Sequence, residues 1–198
     1  MGIIEAKKAE KRQRLLDSAY NCFLENGISG TSIHDICKGA GIAKGTFYLY
    51  FRDMEDIAKA LNIRITESLL QESFQYMCTK ESETFADRLV MMADYLMDCF
   101  EKDKDLIRII RRDFSWPFQA EDIISGSAKN LIPGYEDIEA YARKNGRSMK
   151  EVLSCIFCLV AMIISVSYDA IIENRPASPG EMRPVLFGII RASFPEAP

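Results

Sequence analysis

Apolar positions recur along this chain with the period of a helix, and no stretch shows the two-residue alternation of a strand. Leu16, Ala19, Tyr20 and Phe23 fall at i, i+3, i+4 and i+7, and Asn26-Gly27 ends that run. Gly30-Thr31-Ser32 then offers an N-cap, and Ile33, Ile36, Cys37 and Ala40 repeat the spacing up to Gly41. The pattern therefore predicts one longer helix followed by two short helices around a glycine turn. Phe85, Leu89, Met92, Leu96 and Cys99 mark another helix, and Leu106, Ile109, Ile110 and Phe114 a shorter one. Trp116-Pro117 and Ile132-Pro133-Gly134 punctuate the middle, because proline lacks an amide donor and disfavours helix in the residue before it. Ser148 with Glu151 forms a capping box ahead of a long helix over 149–174. Ser178 with Glu181 forms another, with Pro179 at the favoured first position. The helix that follows, 180–193, carries Met182, Val185, Leu186, Ile189 and Ile190 on one face.

Size and charge narrow this picture. A chain of 198 residues holds one small and one larger domain, and 48% hydrophobic with 27% charged residues suits a packed core rather than a disordered tail. Residues 1–52 contain eight Lys or Arg against five Asp or Glu, a balance of +3, so with a formal net charge of −4 the remainder carries −7. A positive N-terminal end on an acidic body suits an anionic partner such as nucleic acid, and it equally suits an ordinary solvated surface. The stretch 152–168 is 17 uncharged residues, at the lower limit for crossing a bilayer; it reads as a helix covered by protein rather than by lipid. The six cysteines lie in helical apolar patterns, which favours reduced thiols and a cytoplasmic location.

Residues 41–51, GIAKGTFYLYF, carry the most specific chemistry. On a helix over 43–52, Phe47 and Phe51 lie on one side with Ala43 and Tyr50, and that side docks on the preceding helices. Lys44 and Tyr48 border it, while Gly45, Thr46 and Leu49 point outward. Such a face suits the major groove: a glycine admits close approach, and Lys, Thr and Tyr donate to bases or phosphates. Taken alone, the same helix also fits the aromatic core of a plain bundle.

The run Arg12 to Ile57 removes that ambiguity, because it closely resembles the DNA-binding domain of TetR-family transcriptional regulators. The resemblance rests on a first helix ending at FLENG, then T-S-I-x-x-I, then A-G-I-x-K-G-T-F-Y-x-Y-F, then E-D-I at the start of the next helix. It implies an all-α fold, with an N-terminal three-helix helix-turn-helix domain (1–52) and a C-terminal helical ligand-binding and dimerisation domain (53–198). It further implies a recognition helix from Ala43 to Tyr50. Lys44, Gly45 and Thr46 would face bases, Tyr48 and Tyr50 bases or phosphates, Thr31 a phosphate, and His34 a base. One position departs from the family pattern: Met54 stands where a phosphate-binding lysine is usual, with Arg52 and Lys59 as candidate substitutes. Lys7, Lys8, Lys11, Arg12 and Arg14 precede the first apolar face and read either as phosphate-binding arm residues or as a frayed, solvated end.

Other chemistries find little support. Cys155 and Cys158 have no second ligand pair for zinc and read as core residues, with thiol sensing as the minor alternative; no metal or cofactor is expected. Catalysis is not expected, since the one histidine lies in the DNA-like region and no phosphate-cradling glycine loop is present. The aromatic and methionine-rich middle is mostly core, with Met92, Tyr95, Cys99, Phe114 and Trp116 as candidate effector-lining residues and Arg108, Arg111 or Arg112 as partners for an anionic ligand. What the resemblance implies is a repressor-type regulator that pairs as a homodimer through 149–174 and 180–193. It would bind a pseudo-palindrome of double-stranded DNA and be released by an apolar or amphipathic small molecule, with no membrane partner.

Overall fold

The structure, a computed structural model, describes residues 2–112 and 132–196, apart from the side chains of Ile3 and Arg112. Every regular element among the described residues is an α-helix: α1 (Ile3–Gly30), α2 (Ile33–Ala40), α3 (Lys44–Phe47), α4 (Met54–Cys78), α5 (Phe85–Lys102), α6 (Lys104–Arg112), α7 (Tyr135–Lys144), α8 (Met149–Ile172) and α9 (Pro179–Ser193). They form two compact units, Met1–Ile65 and Thr66–Pro198, and α4 runs across the boundary.

In the N-terminal unit the predicted helix stop is real. Gly27 takes φ 68° and ψ 165°, which breaks α1 where Asn26-Gly27 foretold it. Upstream, α1 is helical from Ile3, so Lys7, Lys8 and Lys11 sit exposed on a rigid helix rather than on a frayed arm. Leu15, Leu16, Ala19 and Phe23 are buried in the unit's core together with Ile36, Ala40, Phe47, Phe51, Ile57 and Leu61. Where α1 and α2 cross, the Ser18 hydroxyl donates to the Ile36 carbonyl (2.8 Å). A Cβ on Gly39 would lie 2.3 Å from that hydroxyl oxygen, so the crossing requires glycine there.

The unit extends beyond the 52/53 boundary expected from sequence. Ile57 and Leu61 of α4 are fully buried, and Arg64 pairs with Asp17 of α1 at 2.7 Å. The first turns of α4 therefore complete the N-terminal core, and the division falls after Ile65.

In the C-terminal unit α5 packs on α8 and α9, α6 on α8, and α7 on α8. The predicted stripe on α5 turns out to be mostly half-buried, while Ala86, Val90, Ala93, Met97 and Phe100 supply the deeper contacts along with Leu96. Arg183 of α9 reaches Asp94, Asp98 (2.7 Å) and Glu101 (3.2 Å) of α5, fixing these two helices by charge. Helix α7 was not anticipated. Its buried Ile138, Tyr141 and Ala142 follow helical spacing, but only one of them is a plain aliphatic large enough to stand out in sequence.

Both C-terminal capping boxes form, Ser148 with Glu151 and Ser178 with Glu181. The face expected on α9 splits in two: Leu186 and Ile190 enter the core, while Val185 and Ile189 stay 52% and 41% exposed. Helix α8 is long and apolar enough by length and composition to cross a membrane (mean hydropathy 2.3), and only 33% of its most apolar window is buried within the chain. Its outer face includes Phe157 and the exposed Cys158, so Cys158 is not the core residue expected; Cys155 is half-buried, with its Sγ 3.1 Å from a donating Arg147 nitrogen.

Candidate nucleic-acid interface and ligand cavity

Ser32 caps α2, its Oγ accepting from the Asp35 amide (3.2 Å) while the Asp35 carboxylate accepts from the Ser32 amide (3.0 Å). The Ser32 hydroxyl, which also donates to the Asp35 carboxylate (2.5 Å), and the Ser32 amide together hold that carboxyl below its usual range. At the other end Gly41 adopts the left-handed conformation (φ 62°), and Ile42 N–H donates to the Cys37 carbonyl (2.9 Å). This six-to-one bond reverses the chain and aims the following residues away from α2. Arg14 of α1 donates to the Ala40 carbonyl, which satisfies another end group of α2.

The recognition segment then begins at Lys44. Its α-helix is one turn long, Lys44–Phe47, rather than reaching Tyr50. Beyond Phe47 the chain winds through i→i+3 bonds, Leu49 N to Thr46 O (3.1 Å) and Tyr50 N to Phe47 O (2.9 Å), closed by Phe51 N to Phe47 O (3.0 Å). Glycine, threonine and aromatics are poor helix formers, so the buried rings set the geometry. Phe47 is fully buried, Phe51 nearly so, and their centroids lie 5.7 Å apart. Arg12 covers the Phe51 ring at 5.4 Å. Thus Arg12 and Arg14, read from sequence either as phosphate-binding or as part of a solvated end, brace the segment from behind.

Of the predicted contact residues, Lys44, Gly45, Tyr48 and His34 are exposed, and Thr46 and Tyr50 are half-buried. Ala43, expected on the docking face, is exposed instead, because it is the N-cap and lies outside the helix. Thr31 is buried (8% exposed), and its hydroxyl points inward to the Cys22 and Gly27 carbonyls at 3.0 and 2.8 Å. It closes the broken end of α1, and the exposed group at the start of α2 is Ser32. Leu49 was passed over as a site residue in sequence, yet it is 74% exposed. Met54 is half-buried among exposed Asp53 and Glu55 and half-buried Asp56, and Arg52 pairs with Asp56 at 3.4 Å.

The C-terminal unit contains an apolar cavity of about 60 Å³ whose walls include Leu70, Phe74, Phe85, Met92, Ile138 and Ile156. A second of about 50 Å³ shares Leu70, Leu89, Met92 and Ile156. Met92, one of the candidate effector-lining residues, is in the wall of both. Tyr95 and Cys99 line neither. The Tyr95 ring packs on Tyr76 at 5.0 Å, its hydroxyl lies 3.4 Å from Glu72, and burial raises the Cys99 thiol pKa. Phe114 and Trp116 lie outside the described residues. Arg108 pairs with Asp105 on its own helix and Arg111 lies over Tyr168, and neither lines these two cavities, while the side chain of Arg112 lies outside the described residues. The wall of the first cavity does include Arg88, which pairs with Asp137 at 2.9 Å. Both residues line the apolar cavity and also a polar cleft of about 230 Å³ containing Lys144 and Glu196.

Residues 15–61 match the sequence family described as bacterial regulatory proteins, tetR family. The chain is 31% identical over 113 residues to the uncharacterized HTH-type transcriptional regulator YdgC of Bacillus subtilis, covering 54% of this chain and 55% of that protein. It is 40% identical over 55 residues to the fatty acid metabolism regulator protein of Bacillus subtilis, covering 28% of each. The match thus spans about half the length of the first relative and about a quarter of the second. Among solved structures, a TetR-family transcriptional regulator from Streptomyces coelicolor superposes with a TM-score of 0.63 at 15% identity, covering 92% of this chain and 96% of that one. The transcriptional regulator FadR from Bacillus subtilis, in complex with stearoyl-CoA, gives 0.58 at 20% identity, covering 91% and 98%. The helix-turn-helix is thus carried by the very residues that match the tetR family of bacterial regulatory proteins, inside an all-helical fold shared nearly end to end with solved TetR-family regulators.

Proposed function

We propose that the chain is a cytoplasmic, homodimeric transcriptional repressor that binds a pseudo-palindromic operator and is released by a small apolar or amphipathic effector. The observation that carries this reading is the outward strip Lys44, Gly45 and Tyr48 beside half-buried Thr46 and Tyr50, held on a turn that Phe47 and Phe51 anchor from within. A lysine and tyrosine hydroxyls beside bare backbone are donors of the kind that duplex edges and phosphates accept.

One such turn reads few base pairs, so specificity calls for two copies. The partner surface is the outer face of α8 and α9, where Phe157, Val185, Gly188, Ile189 and Ala192 are exposed apolar or small positions on helices otherwise committed to the core. Pairing these faces in a four-helix bundle removes them from water. The effector fits the C-terminal unit: an apolar portion in the cavity around Met92 and Phe74, and a polar end at the Arg88–Asp137 pair where cavity and cleft meet. The stearoyl-CoA complex of the fold relative is consistent with a long amphipathic occupant. Effector and DNA then oppose one another, each weakening the other's binding by the same factor.

The test is binding to the duplex upstream of its own gene. Lys44→Ala combined with Tyr48→Phe is expected to weaken binding about tenfold or more and to lower the salt-dependence exponent by about one. Unchanged affinity removes the recognition segment from the mechanism. A protein that binds apolar ligands but no duplex would favour a second reading, a sensor without DNA recognition, for which Met54 and its acidic neighbours are the supporting feature.

A further inference from the structure

We propose that Leu49 reads a thymine methyl group in each half of the operator. The inference rests on the chain being a DNA-binding regulator and adds a residue and a base to that reading. Among the side chains from Phe47 to Phe51, two are buried, Phe47 and Phe51, and Leu49 is the most exposed at 74%. A lone exposed leucine on a protein surface is ordinary. This one lies in the segment 44–50 that also exposes Lys44, Gly45 and Tyr48.

Its position is also fixed. Leu49 N–H donates to the Thr46 carbonyl (3.1 Å), and the next amide donates to Phe47 (2.9 Å), between two rings that the core holds. The isobutyl group is therefore presented on rigid backbone, although the α-helix has already ended at Phe47. One turn earlier, Gly45 adds no bulk, and a Cβ placed there would meet nothing within 4 Å. Open space into which a base edge can advance therefore lies at Gly45, four residues before Leu49.

Leucine has no donor or acceptor, so it takes no part in the hydrogen-bond code of the base edges. The one apolar group that a base pair displays in the major groove is the C5 methyl of thymine. Contact between that methyl and Leu49 removes both from water. A cytosine at the same position offers an amino donor instead, which Leu49 would desolvate without replacing its water.

The experiment starts from duplexes selected by the full-length protein from a random library. Selected sequences are expected to carry a thymine at one symmetric position in each half-site. Replacing both by deoxyuracil, which deletes only the methyl groups, should weaken wild-type binding about fourfold per half-site, the factor that burying one methyl group provides. Leu49→Ala should bind thymine and uracil duplexes equally, and Leu49→Met should keep the preference. Because Leu49 is exposed, neither variant is expected to change the thermal unfolding midpoint. If thymine and uracil duplexes bind the wild type equally, or if Leu49→Ala discriminates as well as the wild type, the assignment is overturned. Failure of the selection to yield any sequence overturns the DNA-binding reading itself.

Discussion

The two units build their sites in opposite ways. In the N-terminal unit the candidate surface is the outside of a one-turn helix, and the core behind it holds Phe47 and Phe51. In the C-terminal unit the candidate site is an interior space, and the residues that surround it belong to the same apolar faces that pack the helices. A site on an outer face leaves its mark in sequence as polar residues interrupting an apolar rhythm. A site in an interior leaves none, because a wall residue and a core residue obey the same period.

The comparison breaks most sharply at Phe47. Phe47→Ala should cost about 3–5 kcal/mol, since a fully buried ring is lost and the small N-terminal core has little capacity to close the gap. Thermal unfolding followed by far-UV circular dichroism should show it, with duplex binding abolished. Met92→Ala, at a wall already bordering empty space, should cost less than the about 2–5 kcal/mol typical of a packed methionine while altering ligand affinity. Equal losses for the two would show that the cavity wall is packed as tightly as the domain core.

A smaller effect is expected where α1 crosses α2. Gly39→Ala should destabilise by about 1–3 kcal/mol, through overlap of the new methyl with Ser18 Oγ. Denaturant titration measures this, and adding Ser18→Ala should recover part of it. An additive double variant would refute the contact as the cause.

The smallest effect is in acid and touches both units. The cap carboxylates Asp35, Asp56, Glu151 and Glu181 all have pKa values lowered by hydrogen bonds from neighbouring backbone or side-chain donors. Their folded values lie below their unfolded ones, so between the two the unfolded chain binds more protons and stability rises with pH. The contribution is complete above the ordinary carboxylate range and fades as pH falls through the lowered values. Urea midpoints measured from pH 6 down to pH 3 should decline, and Ser32→Ala, which removes an Asp35 partner, should flatten the curve slightly.

Much of the fold was readable in the sequence because helix boundaries are chemical events. Gly27, Gly41, Ser148 with Glu151 and Ser178 with Glu181 each mark an end that the structure has in place. The length of the recognition helix was not readable, since a helical projection extends any apolar face and cannot register where i→i+3 bonds take over. The family resemblance set Thr31 on a phosphate, yet its hydroxyl can serve either the start of α2 or the end of α1, and only the broken helix at Gly27 decides. Within the cavity, Met92 was identified, but Phe74 on α4 and Arg88 before it on α5 gave no distinguishing signal. The pairing of Arg88 with Asp137 joins helices separated by a long stretch of chain, and no local pattern encodes that.

The last described residues act as a clasp. Phe194 is buried against Phe85 and Tyr141, and Glu196 accepts from the Phe85 amide (3.0 Å) while pairing with Lys144 (2.8 Å). The start of α5 and the end of α7, which bound the polar cleft beside the Arg88–Asp137 pair, are thereby stitched together by the chain's tail. Any occupant that wedges those helices apart must first unfasten it, so amide exchange or proteolytic nicking near residue 194 is a label-free gauge of whether the cavity is filled.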